Sequence, residues 1–210
     1  MTRARAYAEG APVFINCPFD SEYQPLFYAI IFTLHDAGFR ARCSLERGDG
    51  SEIRLEKISR IIQECDLSIP DLSRRGLDEG SGLPRFNMPL ELGLFLGAKR
   101  FGGAAHAHKA CLILGDEPYL YQAYLSDIAG QDIEAHGNTV GGVIKAVRRW
   151  AGQFVGAGII LPSPTSTADR FSLFTDFLEE WLMELRLDPT ELTFADYCTL
   201  LSRWLADNPT

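Results

Sequence analysis

The sequence predicts an α/β fold, a parallel sheet with helices on both faces that carries a helical hairpin at its carboxy-terminal end. Three observations point there. Four apolar runs of strand length alternate with segments of helical apolar spacing, the pattern of strands and crossover helices. After the fourth run the alternation stops and a stretch rich in Gly, Pro, Ser and Thr follows. Beyond it lie two amphipathic segments with no strand between them.

The elements read in order. Val13-Phe14-Ile15-Asn16-Cys17 is a buried strand closed by Pro18. Tyr23 to Ala37 places Leu26, Phe27, Ile30, Ile31 and Leu34 on one helical face, and Gly38 ends it as a C′ glycine. Phe39 to Leu45 is a second, more polar strand, and Ser51 to Glu64 a helix through Ile53, Ile58, Ile61 and Ile62. Asp66 to Pro70 is a third strand, Met88 to Lys99 a helix and Lys109 to Leu114 a fourth strand. Tyr119 to Ala129 holds three tyrosines, and Thr139 to Ala151 is helical through Val143, Ile144, Val147 and Trp150. Gly152 to Ser166 reads as a linker.

The last two helices run from Thr167 to Leu185, with the stripe Phe171, Phe174, Leu178, Trp181, Leu182 and Leu185, and onward from Thr193-Phe194-Ala195-Asp196, a capping box. They pack on the α/β core or on a partner subunit. The wide aromatic stripe favours a homo-oligomer. The chain thus divides into an α/β domain over residues 1–155 and a linker with helical extension over 156–210, which either regulates the core or covers an apolar face of it.

Composition bounds the function. At 210 residues the chain is long enough to bury a core without metal or disulfide, and 46% hydrophobic with 23% charged residues excludes a disordered chain. A net charge of −8 argues against nucleic-acid binding, which needs a cationic face. The five cysteines are odd in number, widely spaced and never CxxC, so a reducing, cytoplasmic setting with buried thiols is expected. No apolar run reaches signal-peptide or membrane-spanning length. No metal is expected, because His106-Ala107-His108 has no patterned third ligand.

In an open parallel sheet, ligands bind beyond the carboxyl ends of the strands. The segments there carry Asp20, Glu46, Asp49, Asp71 and Asp116, an acid-rich rim that suits a cationic substrate rather than a simple phosphate pocket. The long stretch Arg75 to Asn87 belongs to the same rim, while Gly80-Ser81-Gly82 and Gly141-Gly142 form no phosphate-cradling motif. Arg42 either meets a phosphate or pairs with Glu46. Glu91 stands apart. Pro89 suits a first helical turn after an Asn87 or Met88 cap, which places Glu91 at the rim. It is either a dipole-complementing glutamate or, beside the space-making Gly93 and Gly97, a carboxylate that attacks or stabilises an oxocarbenium-like centre.

Three pieces carry a resemblance: the first strand running into Pro18-Phe19, the acidic turn from Cys65-Asp66-Leu67 through Asp71, and Glu91-Leu92-Gly93. From Val13 to about Leu114 the chain resembles the nucleoside 2-deoxyribosyltransferases and the related TIR-like domains, flavodoxin-like folds that act on N-glycosidic bonds. It is also similar to a bacterial defence-associated TIR-like group, through the opening strand and the segment Asp127 to Asp132, which by itself reads as a turn. The resemblance gives Glu91 the nucleophile role of the E-x-G glutamate. Phe86-Asn87-Met88-Pro89 and Phe95 depart from the small residues the transferases place around that glutamate.

The expected function is cleavage of the N-glycosidic bond of a nucleotide, NAD above all, with release of nicotinamide and in the setting of antiviral defence. NAD is then substrate, and no cofactor is expected. Glu91 faces the anomeric carbon, Asp71 or Glu46 holds the ribose hydroxyls, and Asn16, Pro18 and Phe19 floor the pocket, with Arg42, Asn87 and Met88 as further substrate contacts. Nicotinamide leaves neutral from a cationic ring and needs no strong acid. Two alternatives stand beside this. One is a 2-deoxyribosyltransferase or nucleoside hydrolase with Asp71 as a raised-pKa acid. The other is a catalytically silent module that binds a nucleotide or a protein.

Overall fold

The computed structural model of the chain describes residues 5–46, 49–74, 76, 82 and 86–210. Most of the expected rim segment Arg75 to Asn87, including Gly80 and Ser81, lies outside the described residues, as do Arg47 and Gly48. The order of elements is β1 (Pro12–Asn16), α1 (Gln24–Asp36), β2 (Arg40–Arg42), α2 (Arg54–Glu64), β3 (Leu67–Pro70), α3 (Asn87–Phe101), β4 (Ala110–Cys111), β5 (Ile113–Gly115), β6 (Ile133–Ala135), α4 (Val140–Ala151), α5 (Pro164–Leu185) and α6 (Phe194–Asp207). Four strands pair in the order β2-β1-β3-β4, all parallel. β5 continues the line of β4 along β3 through the bridge of Asp71 to Leu114, and pairs with β6, again parallel. The sheet is therefore flavodoxin-like, with its expected fourth strand broken at Leu112.

Side chains alternate across the sheet as a pleat requires. Val13 and Ile15 of β1 face α1 and α4, whereas Phe14 faces α2 and α3. The short β2 departs from the longer strand expected, because only Arg40 to Arg42 pairs with β1. β6 is not among the strands the sequence predicts: three residues between turn-forming stretches leave too little periodicity to find. Gly38 does end α1 in the left-handed region, at φ 81°. The end of α2 is closed from a distance. The buried Lys109 ammonium donates to the carbonyls of Ile62 and Cys65 at 2.5 and 2.6 Å and lies over the Phe95 ring, complementing the negative end of that helix.

The carboxy-terminal hairpin is part of this core. α5 begins at Pro164 under a Ser163 cap, and α6 opens with the expected capping box of Thr193 and Asp196. Phe174, Leu178 and Leu182 of α5 and Tyr197, Leu201 and Trp204 of α6 join the cluster that holds Val13, Ile30 and Val147. Phe32 of α1 is the meeting point, with ring contacts to Phe171, Phe174 and Trp204. Most of the aromatic stripe is thus covered within one chain, with Leu185 left exposed. Between the two parts the segment after α4 is tied down, since Arg148 donates to the carbonyls of Leu161 and Pro162. Among the described residues no helix is long and apolar enough to cross a membrane. Because Phe174 is fully buried among three aromatic rings, Phe174→Ala is expected to cost about 3–5 kcal/mol of stability, read as a lowered urea midpoint.

Candidate active site

The carboxyl ends of β1, β2 and β3 meet the amino-terminal ends of α2 and α3, and two carboxylates lie there in opposite circumstances. Asp71 follows β3 and is fully buried. Its Oδ1 accepts the Ser73 backbone N–H at 2.8 Å and its Oδ2 the Tyr23 hydroxyl at 2.5 Å. His136, just after β6, brings Nε2 to 3.0 Å from the same Oδ2, though off the ideal hydrogen-bond direction. The His136 Nδ1 accepts the Asn138 N–H at 3.0 Å, which leaves the ring proton on Nε2, toward Asp71. Burial alone would raise the Asp71 pKa. The His136 contact, Ser73 and Tyr23 outweigh it and hold the carboxyl below its usual value.

Glu91 shows the reverse. α3 buries Met88, Glu91, Leu92 and Phe95 on one face, so a carboxylate occupies a core-facing position of an otherwise apolar stripe. It is 5% exposed. Among the described residues its one charged neighbour is Arg54, whose Nη2 lies 3.9 Å from Oε1, too far for a hydrogen bond. Burial pushes the Glu91 carboxyl up to about 7, with Arg54 pulling weakly the other way. The Cys17 thiol lies within electrostatic reach of both Asp71 and Glu91, and burial together with these carboxylates keeps it protonated.

The other sequence candidates fall into place around this pair. The Asn16 amide donates to the Met88 carbonyl at 2.9 Å, so both residues hold the start of α3 one turn before Glu91. Pro18 is buried and Phe19 half-buried, packing edge-on to Phe27. Asn87 is exposed as the first residue of α3 and does not cap it; Phe86 precedes the helix without a side-chain cap. Arg42 makes a two-pronged bond to Glu46 and a 2.9 Å bond to Glu64, so of the two readings of Arg42 the structure shows the pairing with Glu46. Asp71, expected to hold ribose, has its oxygens taken by protein donors and is closed to solvent.

Two acids of the rim, Asp20 and Glu46, are paired with arginines. Arg74 pairs with Asp20 at 2.8 Å, and Asp49 accepts from Ser51 within its own turn. No described protein atom makes a close approach at Gly93 or Gly97, where an added methyl group would have open space around it to 4 Å. Sequence reasoning missed Arg54, Tyr23 and His136. For Arg54 the signal was its place at the start of a helix that follows a rim strand; for the other two the sequence offers none. Among the described residues no group of three His, Cys, Asp or Glu is placed to hold a metal. No family model matches the chain, and no curated protein is similar to it.

Two outcomes follow from the contrast between the carboxylates. Asp71→Asn leaves a buried network with a mismatched partner and is expected to cost about 3–5 kcal/mol, measured by denaturant unfolding at neutral pH. For Glu91 the sign is the opposite. Between pH 4.5, the ordinary glutamate value, and about 7 the unfolded chain releases a proton that the folded chain keeps, so stability falls as pH rises through that window. Glu91→Gln is therefore expected to melt higher than the parent at pH 8 and together with it at pH 4, by differential scanning fluorimetry.

Proposed function

We propose that the chain hydrolyses the N-glycosidic bond of a nucleotide, with NAD the best candidate substrate and nicotinamide the leaving group. One observation supports this above the rest: Glu91 is buried at the carboxyl end of the sheet, with its pKa raised and no hydrogen bond to any described residue. A carboxylate kept poorly solvated in the free protein is stabilised once positive charge develops beside it. The anomeric carbon of a ribosyl group losing nicotinamide develops that charge. Glu91 then either attacks the carbon, with water later releasing the phosphorylated ribose portion, ADP-ribose in the case of NAD, or stabilises the cation while water attacks directly.

Asp71 weighs against the nucleoside hydrolase and deoxyribosyltransferase alternative in the form that needs it as proton donor. It is held ionised and closed to solvent, whereas a leaving purine or pyrimidine must be protonated. Nicotinamide needs no such donor. The resemblance of Glu91-Leu92-Gly93 to the E-x-G motif, the cytoplasmic setting and a place in antiviral defence belong to the same proposal.

The test is a panel of NAD, nucleosides and deoxynucleosides given to the parent protein and to Glu91→Gln. Nicotinamide release by the parent is expected, with the Gln variant slower by at least about 10³-fold, a loss of roughly 4 kcal/mol of transition-state stabilisation. Because the ionised form is the working one, log kcat/KM of the parent rises with pH up to an inflection near 7, the value to which burial raises Glu91. Equal turnover by the two proteins removes Glu91 from the reaction.

A further inference from the structure

Arg54 is the first residue of α2, and that helix begins without a side-chain cap, Ile53 preceding it in extended conformation. Its first N–H groups and the positive end of its dipole therefore face the rim uncapped by any side chain. The Arg54 guanidinium is 57% exposed, and its contact with Glu91 at 3.9 Å is Coulombic only. Its one hydrogen bond among the described residues is the 3.3 Å donation from Nη2 to Ser44 Oγ. One turn on, Lys57 Nζ donates to the Ser44 carbonyl at 3.1 Å. Two cations and a helix start thus gather over Ser44, the second residue after β2, next to a buried carboxylate with no hydrogen bond among the described residues. A guanidinium with most of its five donors unspent on those residues is shaped for a two-pronged bond to phosphate. Such a pairing of a dispersed cation group with a nearby buried carboxylate matches a molecule that carries its anion and its electrophilic carbon on one sugar.

We propose that Arg54, aided by Lys57 and the start of α2, binds the sugar phosphate of the substrate while Glu91 faces its glycosidic carbon. The inference rests on the glycosidase reading of Glu91 and adds to it a phosphate subsite. The substrate class narrows accordingly to nucleoside 5′-phosphates and dinucleotides rather than free nucleosides. Phosphate binding also draws the guanidinium toward the ligand and replaces part of its weak hold on Glu91.

The experiment compares nicotinamide riboside with its 5′-phosphate by calorimetry on full-length Glu91→Gln protein, which retains the subsite and holds the ligands intact. The phosphorylated ligand is expected to bind at least tenfold tighter. That preference is expected to vanish on adding Arg54→Gln and to return in part with Arg54→Lys, both at an exposed position that leaves folding intact. Equal binding of the two ligands, no binding of either, or a preference that survives Arg54→Gln overturns the subsite. Turnover by the parent separates the two ideas. Hydrolysis of riboside and phosphate at equal kcat/KM overturns the subsite and keeps the glycosidase. Arg54-dependent phosphate binding with no hydrolysis of either ligand or of NAD keeps the subsite and overturns the glycosidase.

Discussion

The Asp71 carboxylate is the interaction on which the working end of this protein depends. It joins four parts of the chain that are distant in sequence: the end of β3, the turn at Ser73, the start of α1 through Tyr23, and the junction of β6 with α4 through His136. Its own backbone N–H meets the Asn16 carbonyl at the end of β1 at 2.8 Å. A buried charge of this kind is tolerable only when its acceptor sites are filled, and that condition fixes where each loop begins. Several segments at the carboxyl edge of the sheet are thus drawn together around one side chain.

Beside that network, Glu91 is the group that the described residues leave without a full set of partners. The two carboxylates belong to the same rim, yet one is stabilised as an anion by donors and the other is raised by burial. Environments that push paired acids apart in this way commonly separate structural from reactive roles. The Asn16 bond to the Met88 carbonyl fixes the first turn of α3, so the position of Glu91 is inherited from β1 rather than set by its own contacts. Arg54 stands across from it on a separate helix, anchored to Ser44.

Much of the architecture was legible in the sequence because it is written in periodicity. The apolar spacing of α1, α4, α5 and α6 and the caps at Gly38 and Thr193 are local signals, and the structure keeps them. β6 escaped because three residues, two half-buried and one exposed, carry no pattern. The site was legible only in part. Glu91 stood out by its neighbours, but its core-facing place follows from the spacing of Met88, Leu92 and Phe95, a clue carried by the helical period itself. The role of Asp71 was not readable, because its partners Tyr23 and His136 lie 48 and 65 positions away along the chain and no local pattern announces them. The acid-rich rim misled for the same reason at Asp20, whose partner Arg74 lies 54 positions away, whereas the Arg42–Glu46 pair, four residues apart, was one of the two readings the sequence offered.

The way α1 is covered has a consequence for biosynthesis. Tyr28 and Phe32 are met by Tyr197 and Trp204, and Asp36 by Arg170, 134 positions later. The apolar outer face of an early helix therefore stays open while most of the chain is being made. It closes only once α6 has been synthesised and has left the ribosome. Ordering over such separations is slow compared with local helix formation, and the nascent chain carries an aromatic surface throughout that wait. In the interval between completing the sheet and docking α6, that uncovered aromatic surface is the part of the chain most open to aggregation.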